Sequence, residues 1–215
     1  ALGASRDEDV ATLYDVLVGN VTMRDAMQPT EKLENLFVVP SSINLSLVDV
    51  ELADQDDRMT RLRDTLREGL AATAAEGTPF DYVFSDCPPS MSLLPINALI
   101  AAKEVLIPVQ TEYYALEGLT QLLHTIEGAS ASHNPELRVS TILLTMSSKN
   151  TNLSAEVAEN VRDYFPEQTL ETEIPRSVRI AESPSYGETV ITFAPRSSGA
   201  IAYLAAAHEL ANRAE

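Results

Sequence analysis

An α/β fold, with a mostly parallel sheet covered by helices on both faces, is predicted for these 215 residues by three observations. Helical and extended apolar patterns alternate along the chain. The best strand candidates are short continuous apolar runs of the kind that parallel sheets bury on both faces, and no repeat or linker interrupts the alternation. With 45% hydrophobic residues the chain can bury a real core, and one domain over residues 1–215 is the economical organisation.

Taken in order, residues 10–18 carry helical apolar spacing, residues 36–39 form a short strand stopped by Pro40, and residues 59–70 return to helical spacing. Residues 80–90, FDYVFSDCPPS, follow. Their β-formers Tyr82, Val83 and Phe84 predict a buried strand that delivers Asp86 to its C-terminal end, where Pro88 and Pro89 stop the strand and stiffen the turn. A helix over residues 93–101, a strand over 104–108 and a longer helix over 115–131 come next. The most convincing β run, 138–145, precedes a helix over 153–165, a strand over 169–174 and a last helix that begins near Ser197.

Asp86 gives the first chemical clue. Ligands of open α/β sheets bind outside the carboxyl ends of the strands, so a carboxylate there can hold a metal ion or a water beside a phosphate. The same carboxylate would serve equally as a cap for the turn or for the helix that begins near Ser92.

Composition narrows the partners. Fifteen basic against thirty-two acidic side chains give a net charge of -17, so the field of the whole molecule repels phosphate backbones and any nucleic-acid contact needs a local basic patch. The single cysteine, Cys87, cannot form an internal disulfide and fits a reducing compartment; beside a strand end it reads as a small packing residue. No apolar stretch approaches the roughly 18 residues needed to cross a bilayer. The opening ALGASRDEDV has neither the basic nor the apolar region of a signal peptide. His124, His133 and His208 are scattered without metal-ligand spacing and are assigned no chemistry.

Four separated blocks share one resemblance. They are SDCPPS with Asn97, Ala98 and Leu99; PVQTEYYALEGL from Pro108 onward; ILLTM with TNLS, ending at Ser154; and IPRSVRIAESPSYG from Ile174 to Gly187. Together, and in this order, they resemble the ParA/Soj partition ATPases, deviant P-loop relatives of the MinD regulators, and the similarity runs through essentially the whole chain. The resemblance implies a P-loop NTPase-like three-layer sandwich. It further implies binding of ATP and Mg²⁺, a homodimer formed on ATP, non-specific DNA binding, stimulation by a ParB-type partner, and a cytoplasmic, nucleoid-associated protein without a membrane anchor.

Residue by residue, Asp86 matches the family's catalytic, metal-side aspartate, which positions Mg²⁺ or its water. Pro88, Pro89 and Ser90 match the switch that senses the terminal phosphate. Met146, Pro175 and Arg176 match the adenine-side loops. Glu112 matches an acid near the dimer face and the ribose, although a carboxylate at the start of a helix is favoured by the dipole in any case. Tyr113 and Tyr114 read as packing residues at a strand-to-helix turn. Arg176, Arg179, Arg196 and Lys149 are the candidate DNA contacts; Arg179 has Glu182 nearby as a competing partner. Asn150 and Ser198 stand where many relatives carry a basic residue.

One family element is missing from these residues. No GxxxxGK[ST] run occurs, and Lys32, Lys103 and Lys149 all lack the glycine that such a loop places before its lysine. Without backbone N–H groups and a lysine to neutralise phosphate charge, tight ATP binding has no physical support, and the chain alone is expected to be inactive. Residue 1 is Ala, and Leu2 and Gly3 match only the tail of a later turn, so the expectation is a fragment lacking its first strand, loop and helix. A non-hydrolysing ParA-like interaction protein is the alternative. A MinD-like membrane regulator is the second, disfavoured because the tail HELANRAE is not a basic amphipathic helix.

Overall fold

A computed structural model describes residues 10–30, 33–88, 92–148 and 151–213. It resolves into two compact units. One holds the described residues up to Lys103 together with Ala129–Glu136, and the other holds Glu104–Gly128 with the chain from Leu137 onward.

In the first unit, α1 (Leu13–Leu17) starts at Thr12, whose backbone N–H and hydroxyl both donate to the Asp15 carboxylate, at 2.9 and 2.8 Å. This cap satisfies the Thr12 amide at the head of the helix. Helix α2 (Met23–Ala26) leads to β1 (Gln28–Pro29), which pairs antiparallel with β2 (Phe37–Val38) inside the predicted 36–39 run. A 3₁₀ turn over Ile43–Leu47 enters α3 (Val48–Glu51), followed by α4 (Arg61–Ala75) and α5 (Leu93–Ala101). Val16, Leu17, Met23, Ala26, Val48, Leu52, Leu62 and Ala98 form the shared core.

Buried Asn97 ties α5 to the start of α4. Its Oδ1 accepts from the Leu62 backbone N–H at 3.2 Å while its Nδ2 donates to the carbonyls of Arg58 and Leu93 at 2.8 and 3.1 Å. Close approach of α2 to α4 needs a glycine: a Cβ on Gly69 would lie 2.8 Å from both Cβ and Cγ of Met23. Gly69→Ala is therefore expected to destabilise the fold by about 1–3 kcal/mol through overpacking, against a helix-propensity gain of about 1 kcal/mol. A urea midpoint that rises on substitution would contradict this.

In the second unit, β3 (Glu104–Gln110) and β4 (Arg138–Thr145) run parallel, paired from Glu104↔Arg138 to Gln110↔Thr145 with one irregularity between Val105 and Leu106. Helix α6 (Ala115–Ser132) lies between them in sequence, as a parallel crossover requires. Ile142, Leu143 and Leu144 are buried in succession, so β4 is covered on both faces as its continuous apolar run predicts. Then come α7 (Asn152–Tyr164), α8 (Val178–Glu182), α9 (Val190–Phe193) and α10 (Ser198–Arg213). Leu143, Leu170, Ile174 and Ala206 bring β4, the following extended segment and α10 into one core.

Two predicted strands differ in the structure. Residues 169–174 follow β4 in parallel but bridge it only at Ile142↔Thr169, while Ser147↔Pro175 closes the far end. Backbone hydrogen bonds from Leu170 to Ile142 and from Ile174 to Leu144, each 2.9 Å, hold the segment in place. Between them the amides of Glu171 and Thr172 donate instead to the Glu209 carboxylate of α10, at 2.8 and 3.1 Å, so a side chain interrupts what would be a ladder.

Residues 82–88 are the larger departure. They pair with no strand among the described residues, and Tyr82, Val83 and Phe84 are 56, 49 and 74% exposed. Strand-forming side chains alone do not make a buried strand. Extended backbone gains its hydrogen bonds only from neighbouring strands, and no described strand pairs with this run.

Candidate functional site

The carboxyl ends of β3 and β4 bring together residues far apart in sequence. Thr111 follows β3 and its amide donates to the Thr145 carbonyl at 3.1 Å. Buried Thr111 and Ser154 place their hydroxyl oxygens 2.8 Å apart; the Ser148 amide donates to Ser154 Oγ at 3.0 Å, and Thr111 Oγ1 donates to the Met146 carbonyl at 3.4 Å. Each hydroxyl has one proton. With the Thr111 proton directed at Met146, Ser154 must donate to Thr111, which fixes one continuous chain from the Ser148 amide to the Met146 carbonyl.

That chain pins an uncommon backbone. Met146 has φ 54°, in the left-handed region that a long side chain rarely occupies, and it is 40% exposed. Next to it, the Ser147 amide donates to the Ile174 carbonyl and the Arg176 amide to the Ser147 carbonyl, both at 3.0 Å. The Arg176 guanidinium reaches the Glu112 carboxylate at 2.8 Å, and both side chains are more than half exposed. Beneath this edge Glu173 is held by Arg162 at 2.7 Å and accepts from the Ser147 hydroxyl. Glu112, Met146, Pro175 and Arg176, named separately from sequence, thus share one edge.

Asp86 lies in the other unit, on the exposed run, and Pro88 follows it. Pro89 and Ser90 of the expected switch lie outside the described residues, as does Lys149. Among the described residues no three His, Cys, Asp or Glu side chains group as a metal cage. A lone carboxylate still suits Mg²⁺, which keeps several waters and is completed by substrate phosphates. Cys87 is exposed, yet partial desolvation of its sulfur, and then the Asp86 charge, push its thiol above the ordinary value. Alkylation of Cys87 is expected to reach half-maximal rate at higher pH than a free thiol, with Asp86→Asn moving that midpoint down; iodoacetamide kinetics against pH measure both. A midpoint unmoved by Asp86→Asn would exclude the carboxylate as a cause.

Three arginines proposed to meet phosphates differ in their occupation. Arg179 pairs with Glu182 at 3.0 Å and Arg176 with Glu112. Arg196 is exposed and forms no ion pair with a described residue.

A family model described as an AAA domain matches residues 1–139. Chromosome partitioning protein ParA of Myxococcus xanthus is 45% identical over 212 residues, covering 99% of this chain and 72% of that protein. Sporulation initiation inhibitor protein Soj of Bacillus subtilis is 42% identical over 210 residues, covering 98% and 80%. The chain belongs to the ParA/Soj family of partition ATPases.

The ParA/Soj fold extends to a wider set of solved structures. Cobyrinic acid a,c-diamide synthase from Mycobacterium smegmatis, with bound ATP analog and magnesium, is 30% identical with a TM-score of 0.72 over 94% of this chain and 72% of that one. No helix among the described residues is long and apolar enough to cross a membrane.

Sequence reasoning missed the Thr111–Ser154 chain and the Glu173–Arg162 pair. Thr111 and Ser154 both stand inside resemblance blocks, in PVQTEYY and TNLS, so a signal was present. The pairing of one block with another, 43 positions apart, was not visible.

Proposed function

We propose that this ParA/Soj chain supplies the magnesium-side aspartate and the base-side edge of an ATP-driven partition switch, which dimerises on ATP, holds DNA non-specifically and is stimulated by a ParB-type partner. The observation that carries the reading is the convergence of Glu112, Met146, Pro175 and Arg176 at the carboxyl edge of parallel strands, where α/β sheets bind ligands. Exposed Met146 offers an apolar surface for a base, with the Ser147 and Arg176 backbone fixed beside it. Arg176 and Glu112 flank the same edge with opposite charges. Bound Mg²⁺ would supply electrostatic stabilisation of phosphate charge, and Asp86 is the residue that would hold it.

The phosphates themselves lack a cradle. These 215 residues contain no GxxxxGK[ST] run, so turnover requires a phosphate-binding loop from outside them. ATP hydrolysis is expected to be at background for this chain and to appear in a protein that joins it to such a loop. Mg²⁺-dependent phosphate release tests both, and turnover by the 215-residue chain would overturn the division of labour. The same lack of a loop favours one second reading, a non-hydrolysing ParA-like interaction protein. Continued inactivity after a loop is joined would select it.

For DNA, Arg196 is the strongest of the candidate contacts because no described carboxylate occupies it. Binding by the nucleotide-bound dimer is expected to weaken steeply with salt, and Arg196→Ala to lower the log–log salt slope by about 0.9 for each phosphate that the arginine neutralises. Fluorescence anisotropy across a salt series measures the slope. Affinity independent of salt would remove the arginine contacts from the proposal.

A further inference from the structure

Thirty-two acidic side chains outnumber fifteen basic ones in this protein, so two cations that face one cleft with no carboxylate at contact distance call for a cause. Such a cleft, of about 510 Å³, lies within the first unit. Arg63 and Arg67 reach it from α4 one helical turn apart, Lys103 from just beyond α5, and His133 from the turn after α6. Glu136 is the only carboxylate among the lining residues. Arg63 already pairs with Asp64 at 2.9 Å, and Arg67 feels the same carboxylate without reaching it at contact distance; Lys103 forms no ion pair with any described residue.

The floor is apolar. Ile100 is 2% exposed, and half-buried Leu66 and Leu70 lie on the same α4 face. The far wall is fixed in place: the Asn134 side chain donates to the Leu99 and Ala102 carbonyls at 2.9 and 2.6 Å, closing the C-terminal end of α5 and holding the 133–136 turn beside Lys103. A plain structural account covers part of this. Lys103 follows the last carbonyls of α5, where the helix dipole favours a cation. For Arg67 the plain account is the Asp64 charge on its own helix, which does not explain why its side chain lines the same space as Lys103.

From this juxtaposition we infer that the cleft between α4 and the end of α5 binds a small organic dianion, with its charged group between Arg67 and Lys103 and its apolar body on Leu66, Leu70 and Ile100. Guanidinium and ammonium groups supply charge-assisted hydrogen bonds to phosphate or carboxylate oxygens alike. A concave site of a few hundred cubic ångströms suits a small molecule better than the flat face of a macromolecule. The proposal uses none of Asp86, Glu112, Met146, Pro175 or Arg176 and stands or falls apart from the nucleotide reading.

The test is a titration of the ¹⁵N-labelled chain with phenyl phosphate, followed by NMR. Saturable shifts at the Lys103 and Asn134 amides are expected, with inorganic phosphate binding more weakly because it has no apolar body. Phenylsuccinate replaces the phosphate by two carboxylates, and its relative affinity assigns the headgroup within the same class. Arg67→Gln and Lys103→Gln are each expected to weaken phenyl phosphate roughly fivefold, with melting unchanged because both side chains are exposed. The proposal fails if the shifts are absent or lie elsewhere, if both variants bind as the parent does, or if neutral benzyl alcohol binds equally well.

Discussion

Asp86→Asn is expected to lower Mg²⁺-dependent ATP turnover by about 10²–10³-fold in a ParA/Soj protein that joins these residues to a phosphate-binding loop. Asparagine keeps the size and one accepting oxygen of aspartate, while it removes the charge and replaces the second oxygen with an NH₂ donor that cannot face a cation. Mg²⁺ is held by few protein ligands, so the loss of one carboxylate is felt in full, and no described cluster of acids stands ready to replace it. The exposed setting of Asp86 makes the variant a clean one, since it joins no buried network among the described residues. The Mg²⁺ concentration for half-maximal turnover should rise together with the fall in rate. A variant with parental rate and parental Mg²⁺ dependence would return Asp86 to the role of a turn or helix cap. Because Cys87 is adjacent, its alkylation midpoint in the same variant shows independently that the carboxylate charge has gone.

The elements that were legible in sequence are those whose cause is local. The helix over 93–101 and the strand over 138–145 appear with their predicted bounds, because helical spacing after Ser92 and a β-branched run after Leu137 act within a few residues. The segment at 169–174 was not legible as a bridge-held extension. What interrupts its ladder is Glu209, a side chain 38 residues beyond Glu171. Likewise the run at 82–88 has strand composition, but pairing is a property of two chain segments and composition describes one. Its exposure, with Phe84 at 74%, is what strand-forming residues show when no described strand stands beside them.

The site divides along the same line. Resemblance placed Glu112, Met146, Pro175 and Arg176 one at a time, whereas their shared edge follows from the parallel register of β3 and β4 and the Ser147↔Pro175 bridge. The ion pair of Arg176 with Glu112 spans 64 positions, and no spacing rule reaches that far. The left-handed Met146 could not be anticipated either. Methionine carries no conformational signal of that kind, and the hydroxyl that bonds its carbonyl comes from Thr111, 35 positions earlier.

Since β4 sets that edge, its core should control both stability and site geometry. Ile142 has no exposed surface, its amide donates to the Gln168 carbonyl, and its carbonyl accepts from the Leu170 amide, each at 2.9 Å. Ile142→Ala leaves this backbone bonding intact and empties the space of the removed methyl and methylene groups, so a loss of about 2–5 kcal/mol is expected. Ile142→Val removes one methylene and should cost about 0.5–1.5 kcal/mol. Urea unfolding gives both values, and near-equal midpoints would show that the surroundings collapse into the cavity. The consequence for function lies four residues on. Looser packing under β4 should raise hydrogen exchange at the Thr111 and Ser148 amides, the donors that tie the strand ends and the hydroxyl chain behind Met146. Protection unchanged at those amides, with stability lost, would mean that the edge is held by its own hydrogen bonds and owes nothing to the core beneath it.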